Sequence, residues 1–334
     1  MTIRNFLSAV RAMFFPHPIF LFHKPTERCD CRCRFCDFWK KMPNKNDVLP
    51  TNLILSFLNQ ARLAGFTTYV LWGGEPLLVE DLPVWLAHAK RIGLGTMFCT
   101  SGRKLLDRAE EVAPHTDRLI ISIEAIGKRH DELRGVPGLF DLVVKGLERF
   151  ISRSHGEIII WSHINRENRD EVESIAKFAQ EFGVKVEFFP TTEYSGYNEP
   201  MILNRKEREE VFTRIIQLKK EGYPINNTWY ALELMRSSRR FRCNIPLLSI
   251  QVYPDGEIYP CEVRMVPDLR SYGNIAEVDL NTLFASSRFQ KEASRLSSCN
   301  NCLLPCVAHL ADNLPLQGIR KVVGGILRIN LTFC

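Results

Sequence analysis

The stretch "PIFLFHKPTERCDCRCRFCDFW", residues 18–39, joins an apolar run to a loop that is dense in cysteine. The run predicts a β-strand, because short apolar runs bounded by proline are typical of buried strands. The loop holds four cysteines, Cys29, Cys31, Cys33 and Cys36. Four thiols would complete a closed metal cage, whereas three would leave a coordination position open for a substrate. The choice between three and four ligands decides between an active site and a structural site.

Outward from this loop, apolar runs that predict strands alternate with patterns that predict helices. The predicted strands cover 18–24, 67–72, 95–100, 118–125, 157–164 and 184–190. The predicted helices cover 52–65, 82–93, 104–114, 139–153, 169–183 and 205–222. Strands that alternate regularly with helices predict an α/β fold with a parallel sheet, either open and doubly wound or curved like a barrel.

Polar and glycine-rich residues follow five of these predicted strands. They are Cys29–Cys36, Gly73–Glu75, Thr100–Gly102, Ser122–Glu124 and Asn165. The carboxyl ends of the strands carry the active site in barrel enzymes. We therefore expect these residues to share one rim.

The pattern changes near residue 230, where we place a domain boundary. The stretch "QVYPDGEIYPCEV" (251–263) predicts a hairpin that turns at Asp255-Gly256. The expected domains are an N-terminal amphipathic segment (1–17), the α/β domain (18–230), a cysteine-rich domain (231–310) and a basic, apolar tail (311–334).

The composition is that of a globular protein, with 334 residues, 45% hydrophobic and 25% charged. No apolar run is long enough to span a membrane. Arg4 and Arg11 interrupt the apolar N-terminus, which argues against a signal peptide and predicts a cytoplasmic protein. The net charge of +6 and the basic, amphipathic termini would allow peripheral membrane contact.

Eleven cysteines without a secretion signal favour metal ligands over disulfides. In the first cluster, zinc would prefer two separated Cys-x-x-Cys pairs, and only Cys33 and Cys36 form one. Closely spaced thiolates in a loop suit an iron–sulfur cluster. A structural zinc loop remains the alternative.

The pattern of Cys29, Cys33 and Cys36, with Phe35 before the last cysteine, resembles the signature of the radical SAM superfamily. The resemblance implies a partial (β/α)6 TIM-like barrel with a small cysteine-rich C-terminal domain. In that family three cysteines hold a [4Fe–4S] cluster whose open iron binds S-adenosylmethionine (SAM). Reductive cleavage of SAM yields a 5′-deoxyadenosyl radical that abstracts hydrogen from the substrate. Cys31 would then be a bystander.

Two further segments resemble motifs of that family. "WGGEP" (72–76) resembles its GGEP motif, in which Gly73 and Gly74 would let the backbone approach the methionine amino group and Glu75 would offer an acceptor. "CTSG" (99–102) matches the third strand, with serine where asparagine is usual.

The fourth and fifth strands extend the resemblance. Ser122 and Arg134 would hold the methionine carboxylate, for which an arginine fork is suited. Glu124 stands where the family often has aspartate, and a surface carboxylate is its alternative. Asn165 would contact the ribose or the methionine, unless it only forms a turn.

The second cysteine cluster resembles the SPASM and twitch domains of radical SAM enzymes. The expected ligands of one auxiliary [4Fe–4S] cluster for electron transfer are Cys243, Cys261, Cys299 and Cys302. Cys306 is a spare or alternative ligand, and a zinc knuckle is the alternative site. Some relatives have an aspartate base where this chain has Glu262.

The substrate is the least determined feature of the sequence. A peptide side chain, a lipid or isoprenoid, and a sugar-like small molecule all fit, with flavodoxin or ferredoxin as the external electron donor. No nucleic-acid partner is expected, because no RNA-binding motif is present. The alternatives to an enzyme are a non-catalytic iron–sulfur electron carrier and a zinc-stabilised binding protein.

Overall fold

The computed structural model describes residues 17–40, 47–193, 196–237, 239–266 and 268–304. Its strands are β1 Phe20–His23, β2 Thr68–Leu71, β3 Gly95–Thr100, β4 Arg118–Ser122, β5 Glu157–Ile164, β6 Lys185–Pro190, β7 Ser249–Val252 and β8 Ile258–Tyr259. They form one open sheet in the order β6-β5-β4-β3-β2-β1-β7-β8. The neighbours from β1 to β6 pair in parallel, which confirms the predicted α/β class.

The helices that follow the strands agree closely with the periodicity. They are α1 Thr51–Ala64, α2 Leu82–Arg91, α3 Leu105–Val112, α4 Lys128–Arg134, α5 Leu139–Ile151, α6 Val172–Glu181 and α7 Arg205–Lys220. The first of them ends at Gly65, whose φ of 104° and backbone bonds to Ala61 and Arg62 make the expected left-handed cap. Helix α4 was not predicted, because seven residues are too few to show a helical period.

The C-terminal part of the described chain consists of helices before and after a β-hairpin. Its helices are α8 Trp229–Ser237, α9 Ile245–Leu248, α10 Leu280–Ala285 and α11 Ser287–Leu296. The hairpin turns at the predicted place, where Gly256 has φ of 83° and donates to the Tyr253 carbonyl at 2.9 Å. Strands β7 and β8 pair in antiparallel fashion.

The sequence did not predict that this hairpin joins the main sheet. Strand β7 pairs in parallel with β1, beginning at Phe20 opposite Ser249. The Gln60 side chain of α1 bonds the backbone of Val278 and Leu280 just before α10. The sheet therefore includes strands from both sides of residue 230, where the sequence analysis places a domain boundary. That boundary stays a prediction.

The core lies between the sheet and the helices. The central residues of β4, Leu119, Ile120 and Ile121, have no exposed surface, as expected for a strand covered on both faces. Among the residues that the structure describes, no helix could cross a membrane. The expectation of peripheral membrane contact concerns terminal segments that lie outside the described residues. Cys306 and Cys334 also lie outside the described residues.

Candidate active site

The cysteine loop leaves β1 and lies against the end of β2, where two glycines make room for it. The Glu75 amide donates to the Arg28 carbonyl at 2.8 Å. A Cβ on Gly74 would lie 2.2 Å from that same carbonyl oxygen. Gly73 has φ of 88°, and a Cβ there would meet Lys24 Cγ at 2.1 Å. The glycines are thus required by the approach of the loop itself, in addition to any ligand.

The same loop is fastened to the last turn of α4. The amides of Arg32 and Arg34 donate to the carbonyls of Arg134 and Leu133 at 3.0 and 2.9 Å. Gly135 ends the helix with φ of 66°, and a Cβ there would lie 2.4 Å from the Arg32 carbonyl oxygen. The loop therefore satisfies carbonyls that a helix end leaves without partners.

The four thiols of the loop differ in their surroundings. Cys33 is buried, whereas Cys29 and Cys36 are partly exposed. Burial raises the pKa of both Cys33 and Cys36. Cys31 has no exposed surface, packs in the hydrophobic core and shares a hydrogen bond with the Cys29 thiol. Its role as a bystander remains a prediction.

Arg134 and Glu124 form a buried ion pair beside the loop. Arg134 Nη2 lies 2.8 Å from Glu124 Oε1, and the two side chains are 9% and 0% exposed. Arg134 Nη1 lies 3.6 Å from the Cys33 sulfur. Burial works against the charged guanidinium, but Cys33 and Glu124 outweigh burial and raise the pKa of Arg134. The second Glu124 oxygen accepts from the His163 amide at 2.7 Å, so Glu124 is a buried, paired carboxylate and not a surface one.

His163 is a site residue that the sequence did not single out. Its ring centroid lies 5.4 Å from that of Phe35 and 4.5 Å from that of Phe189. Burial lowers the pKa of His163. A histidine within an apolar strand carries no sequence signal of its own, because buried histidines in strands are commonly structural.

Glu75 ties the end of β2 to the end of β3. Its carboxylate accepts from the Thr100 hydroxyl at 2.8 Å and from the Ser101 and Leu77 amides at 2.7 and 3.0 Å. Burial raises the pKa of Glu75. Both oxygens are already used by the chain, so a bond from Glu75 to bound SAM stays a prediction.

Several buried polar atoms at this rim have no partner within the described chain. They are Trp72 Nε1, Arg134 Nε, Asn165 Nδ2 and Thr191 Oγ1. Asn165 does form the expected turn, since its Oδ1 accepts from the Glu167 amide at 2.8 Å, but its amide nitrogen is left over. Buried polar groups are rarely left unpaired, so these atoms fit a site that a polar ligand completes.

Ser122 is the remaining residue expected at the site, and His130 and Asp131 lie nearby in α4. Ser122 ends β4 and is partly exposed, and Glu124 follows it two residues later. The Asp131 carboxylate accepts from the Gly138 and Phe140 amides at 2.7 and 2.8 Å, at the start of α5. His130 Nδ1 accepts from the Glu124 amide at 3.1 Å. Both therefore shape the backbone.

A buried ion pair joins the end of β1 to the segment after β8. Lys24 Nζ lies 3.1 Å from Glu262 Oε2, with side chains 1% and 6% exposed. The ammonium also lies 4.2, 4.7 and 5.1 Å from the ring centroids of Tyr253, Phe38 and Trp72. Lys24 carries no signal in the sequence, because its partner is more than 200 residues away. A role for Glu262 as a base stays a prediction.

A second ionic contact from the same segment reaches the cysteine loop. The Arg264 guanidinium pairs with Asp37, and its Cζ lies 4.2 Å from the Phe38 ring centroid. The charge of Arg264 also opposes the effect of burial, which raises the pKa of the Cys36 thiol. Arg264 therefore connects the C-terminal module to the first cysteine cluster.

The four cysteines expected to bind the auxiliary cluster line one cavity. Cys243, Cys261, Cys299 and Cys302 share its wall with apolar residues, among them Phe241, Pro246, Met265, Val266 and Leu296. The cavity holds about 330 Å³ of empty space, including solvent at its mouth. Burial and the three neighbouring thiols raise the pKa of Cys261.

Both thiol sets have the donor chemistry of an iron–sulfur cluster. Within the described residues, no three His, Cys, Asp or Glu side chains converge on the position of a single metal ion. A cluster takes one thiolate on each iron, so its ligands are spread more widely than those of one ion. The sets fit such clusters, and Cys99 belongs to neither, since it packs against the core in β3.

Comparison with known proteins identifies the family. A family model described as "Radical SAM superfamily" matches residues 23–179, and one described as "Iron-sulfur cluster-binding domain", SPASM, matches residues 243–303. The chain contains a radical SAM domain followed by a SPASM domain. This confirms the resemblance read from the cysteine spacing, together with its cofactors. The radical SAM domain carries a SAM-binding [4Fe–4S] cluster, and the SPASM domain carries an auxiliary iron–sulfur cluster.

The curated relatives of this radical SAM chain differ in the substrates that their names give. A PqqA peptide cyclase of Xanthomonas campestris is 23% identical over 307 residues, which is 86% of this chain and 80% of the relative. An Fe-coproporphyrin III synthase of Methanosarcina barkeri is 24% identical over 211 residues, which is 60% of this chain and 52% of the relative.

Solved structures share the fold of this radical SAM chain. Streptococcus suis SuiB bound to S-adenosylmethionine has a TM-score of 0.69 at 16% identity. The superposition covers 87% of this chain and 71% of the SuiB chain. Native anSMEcpe with bound AdoMet has a TM-score of 0.67 at 18% identity, and covers 93% of this chain and 98% of its own. At these identities the likeness shows the fold alone.

Proposed function

We propose that this protein is a radical SAM enzyme that modifies a peptide side chain by hydrogen abstraction. When bound, the cluster and SAM supply a 5′-deoxyadenosyl radical, formed by one-electron cleavage of a carbon–sulfur bond. Cys29, Cys33 and Cys36 would hold that cluster. The observation that carries the proposal is the placement of this loop at the carboxyl ends of parallel strands, in a chain that also has a cavity lined by four cysteines.

The residues around the loop would bind and orient SAM. Arg134 is buried, is charged and retains an unpartnered Nε, so it suits a carboxylate. Ser122 and Glu124 lie at the carboxyl end of β4, and Asn165 has an amide nitrogen to donate. Phe35, Gly73, Gly74 and Glu75 would shape the pocket wall by holding the loop against β2.

The C-terminal module would pass electrons through its auxiliary cluster. Cys243, Cys261, Cys299 and Cys302 would be its ligands, in an apolar cavity that limits access of water. An external one-electron donor such as flavodoxin or ferredoxin would supply the reducing equivalent.

A peptide is the substrate class that the comparisons favour. The PqqA peptide cyclase matches 86% of this chain. The relative named Fe-coproporphyrin III synthase matches a smaller share. SuiB has also been solved with its precursor peptide SuiA.

The test is an anaerobic assay of the reconstituted protein. We expect about eight irons per chain, four for each cluster, and 5′-deoxyadenosine from SAM and dithionite. The deuterated substrate peptide should transfer deuterium into 5′-deoxyadenosine, measured by mass spectrometry. A Cys33→Ala variant should yield neither product. SAM cleavage with deuterium transfer only from a small molecule or lipid would contradict the peptide proposal.

A further inference from the structure

We propose that Arg264, a residue of the SPASM segment, sets the reduction potential of the cluster bound by the first cysteine loop. Arg264 would be a positioning residue, acting through its charge at the residues that follow Cys36 without touching the substrate. The inference rests on the proposed function, because it takes Cys29, Cys33 and Cys36 as the ligands of that cluster.

The contacts of Arg264 fix its guanidinium at the loop. It pairs with Asp37, the residue after Cys36, and lies over the Phe38 ring. Its side chain is only 12% exposed. An arginine held by a carboxylate and an aromatic face keeps a defined direction, unlike a mobile surface lysine.

The backbone that carries Arg264 is held as well. The Arg264 amide donates to Glu262 Oε1 at 3.3 Å, and the Met265 amide donates to the Glu262 carbonyl at 3.0 Å. Glu262 is itself paired with Lys24 at the end of β1. The position of Arg264 relative to the loop is thus set by two ionic contacts with the barrel.

The direction of the effect follows from charge. Reduction adds one electron to a cluster, and a nearby positive charge or a hydrogen bond to a ligand sulfur stabilises the more negative state. Arg264 places its positive charge at Asp37 and Phe38, the two residues after Cys36, in a largely buried site where screening is weak. Asp37 offsets part of that charge.

Arg134 does not make Arg264 redundant. Arg134 lies against Cys33 and is paired with Glu124, both within the barrel. Arg264 lies against Asp37 and Phe38, the two residues after Cys36, and belongs to the segment that begins at Cys261. Through it the SPASM module would influence the first cluster electrostatically, apart from any electron transfer.

The experiment is a redox titration of the reconstituted holoenzyme, followed by electron paramagnetic resonance. The signal that changes when SAM is added belongs to the cluster with an open iron. In Arg264→Gln we expect the ratio of reduced to oxidised SAM-responsive cluster, at a fixed applied potential, to fall about tenfold. This corresponds to a midpoint potential lower by about 59 mV for one electron. Arg264→Lys keeps the charge and should recover most of this loss.

Arg34→Gln is the matched control. Arg34 follows Cys33 directly and also carries one positive charge, but its side chain is 56% exposed and pairs with Glu167 at 2.6 Å. We expect no shift for this variant, because exposed charges are screened by water and salt.

The outcomes separate this inference from the proposed function. An unchanged midpoint in Arg264→Gln, or an equal shift in Arg34→Gln, would overturn the inference while SAM cleavage still stood. A wild-type protein with no SAM-responsive signal would overturn the proposed function itself. If Arg264→Gln does not bind iron, the midpoint potential of Arg264→Lys decides. A midpoint potential equal to that of the wild type supports a charge effect. A midpoint potential lower by about 59 mV or more, which is a tenfold lower ratio of reduced to oxidised cluster, overturns it.

Discussion

At the scale of single residues, the contacts that matter most here join positions far apart in the sequence. Lys24 and Glu262 meet in a buried pair, and Asp37 and Arg264 meet beside it. Burial lowers the pKa of Lys24, although Glu262 opposes the shift. A buried charge keeps its ionised form only while its partner is present.

Lys24→Met should therefore destabilise the protein by about 3–5 kcal/mol, because it leaves a buried carboxylate unpaired. The double variant Lys24→Met with Glu262→Leu should recover much of that loss. The control is Lys177→Met, which breaks an exposed pair with Glu173 and should cost less than about 1 kcal/mol. Urea unfolding measures all three, and equal losses for Lys24→Met and Lys177→Met would contradict the buried pair.

His23 predicts a pH dependence of stability. It is buried in β1, its Nδ1 lies 2.6 Å from the Tyr69 hydroxyl, and its ring stacks on Trp85 at 5.4 Å. Burial lowers the pKa of His23 to about 3, whereas an unfolded histidine titrates near 6.5. Between these values the unfolded chain binds one more proton, so stability falls as pH falls, by about 1.4 kcal/mol per pH unit.

In a His23→Gln variant, the dependence of the unfolding free energy on pH should be smaller by about 1.4 kcal/mol per pH unit between pH 6.5 and pH 4. Burial also lowers the pKa of His130, so a residual slope is expected. His155→Gln, in the exposed connection before β5, is the control and should keep the full slope. The measurement is the free energy of unfolding across this pH range. A wild-type slope in His23→Gln would refute His23 as a cause of the pH dependence.

The sequence predicted the residues whose spacing is local. The offsets between Cys29, Cys33 and Cys36 are visible within eight residues, and so are the two glycines of "WGGEP". Lys24, His163 and Arg264 were missed, because each acts through a partner that only the folded chain brings near. No single sequence contains that pairing.

At the scale of elements, the cysteine loop is shaped by the strand and helix ends that it contacts. Its backbone bonds α4 and the end of β2, and glycines allow both approaches. Strand and helix order followed from periodicity, since buried parallel strands are continuous apolar runs. Helix α4 was missed, although its last turn holds the loop.

Gly74→Ala should displace the cysteine loop. Its Cβ would lie 2.2 Å from the Arg28 carbonyl oxygen and 2.8 Å from the Thr26 carbonyl oxygen, and both are backbone atoms that cannot turn aside. We expect less than half of the wild-type iron in the first site and almost no SAM cleavage. Iron analysis and the 5′-deoxyadenosine assay check this.

Gly95→Ala is the control for that substitution. It lies at the start of β3, at the opposite end of the strand from the site, and the nearest atom to its Cβ would be 3.6 Å away. It should keep its iron and its activity. Full activity in Gly74→Ala would contradict the close approach of the loop.

At the scale of the whole molecule, the chain holds two separate cysteine sites. The first is held by β1, β2 and α4, and the second by the segments that follow α8, β8 and α11. The sequence predicted both sites from the clustering of cysteines. It did not predict that β7 joins β1, because short apolar runs do not specify their neighbours.

Replacing each set of cysteines should separate these tasks. Alanine at Cys29, Cys33 and Cys36 should abolish SAM cleavage. Alanine at Cys243 and Cys261 should leave about four irons per chain and some SAM cleavage, but no modified substrate. Full product formation in the second variant would refute a role for the auxiliary cluster.

The pairing of β7 with β1 also orders events during synthesis. The strand that precedes the cysteine loop emerges from the ribosome early, yet its second neighbour begins at Ser249. At roughly 5–20 residues per second, the nascent chain waits on the order of tens of seconds before β1 is flanked on both sides. During that interval one edge of β1 is open to incorrect pairing, and Arg264 has not yet reached the loop. Delivery of iron to the first site is therefore expected to succeed best after release of the finished chain.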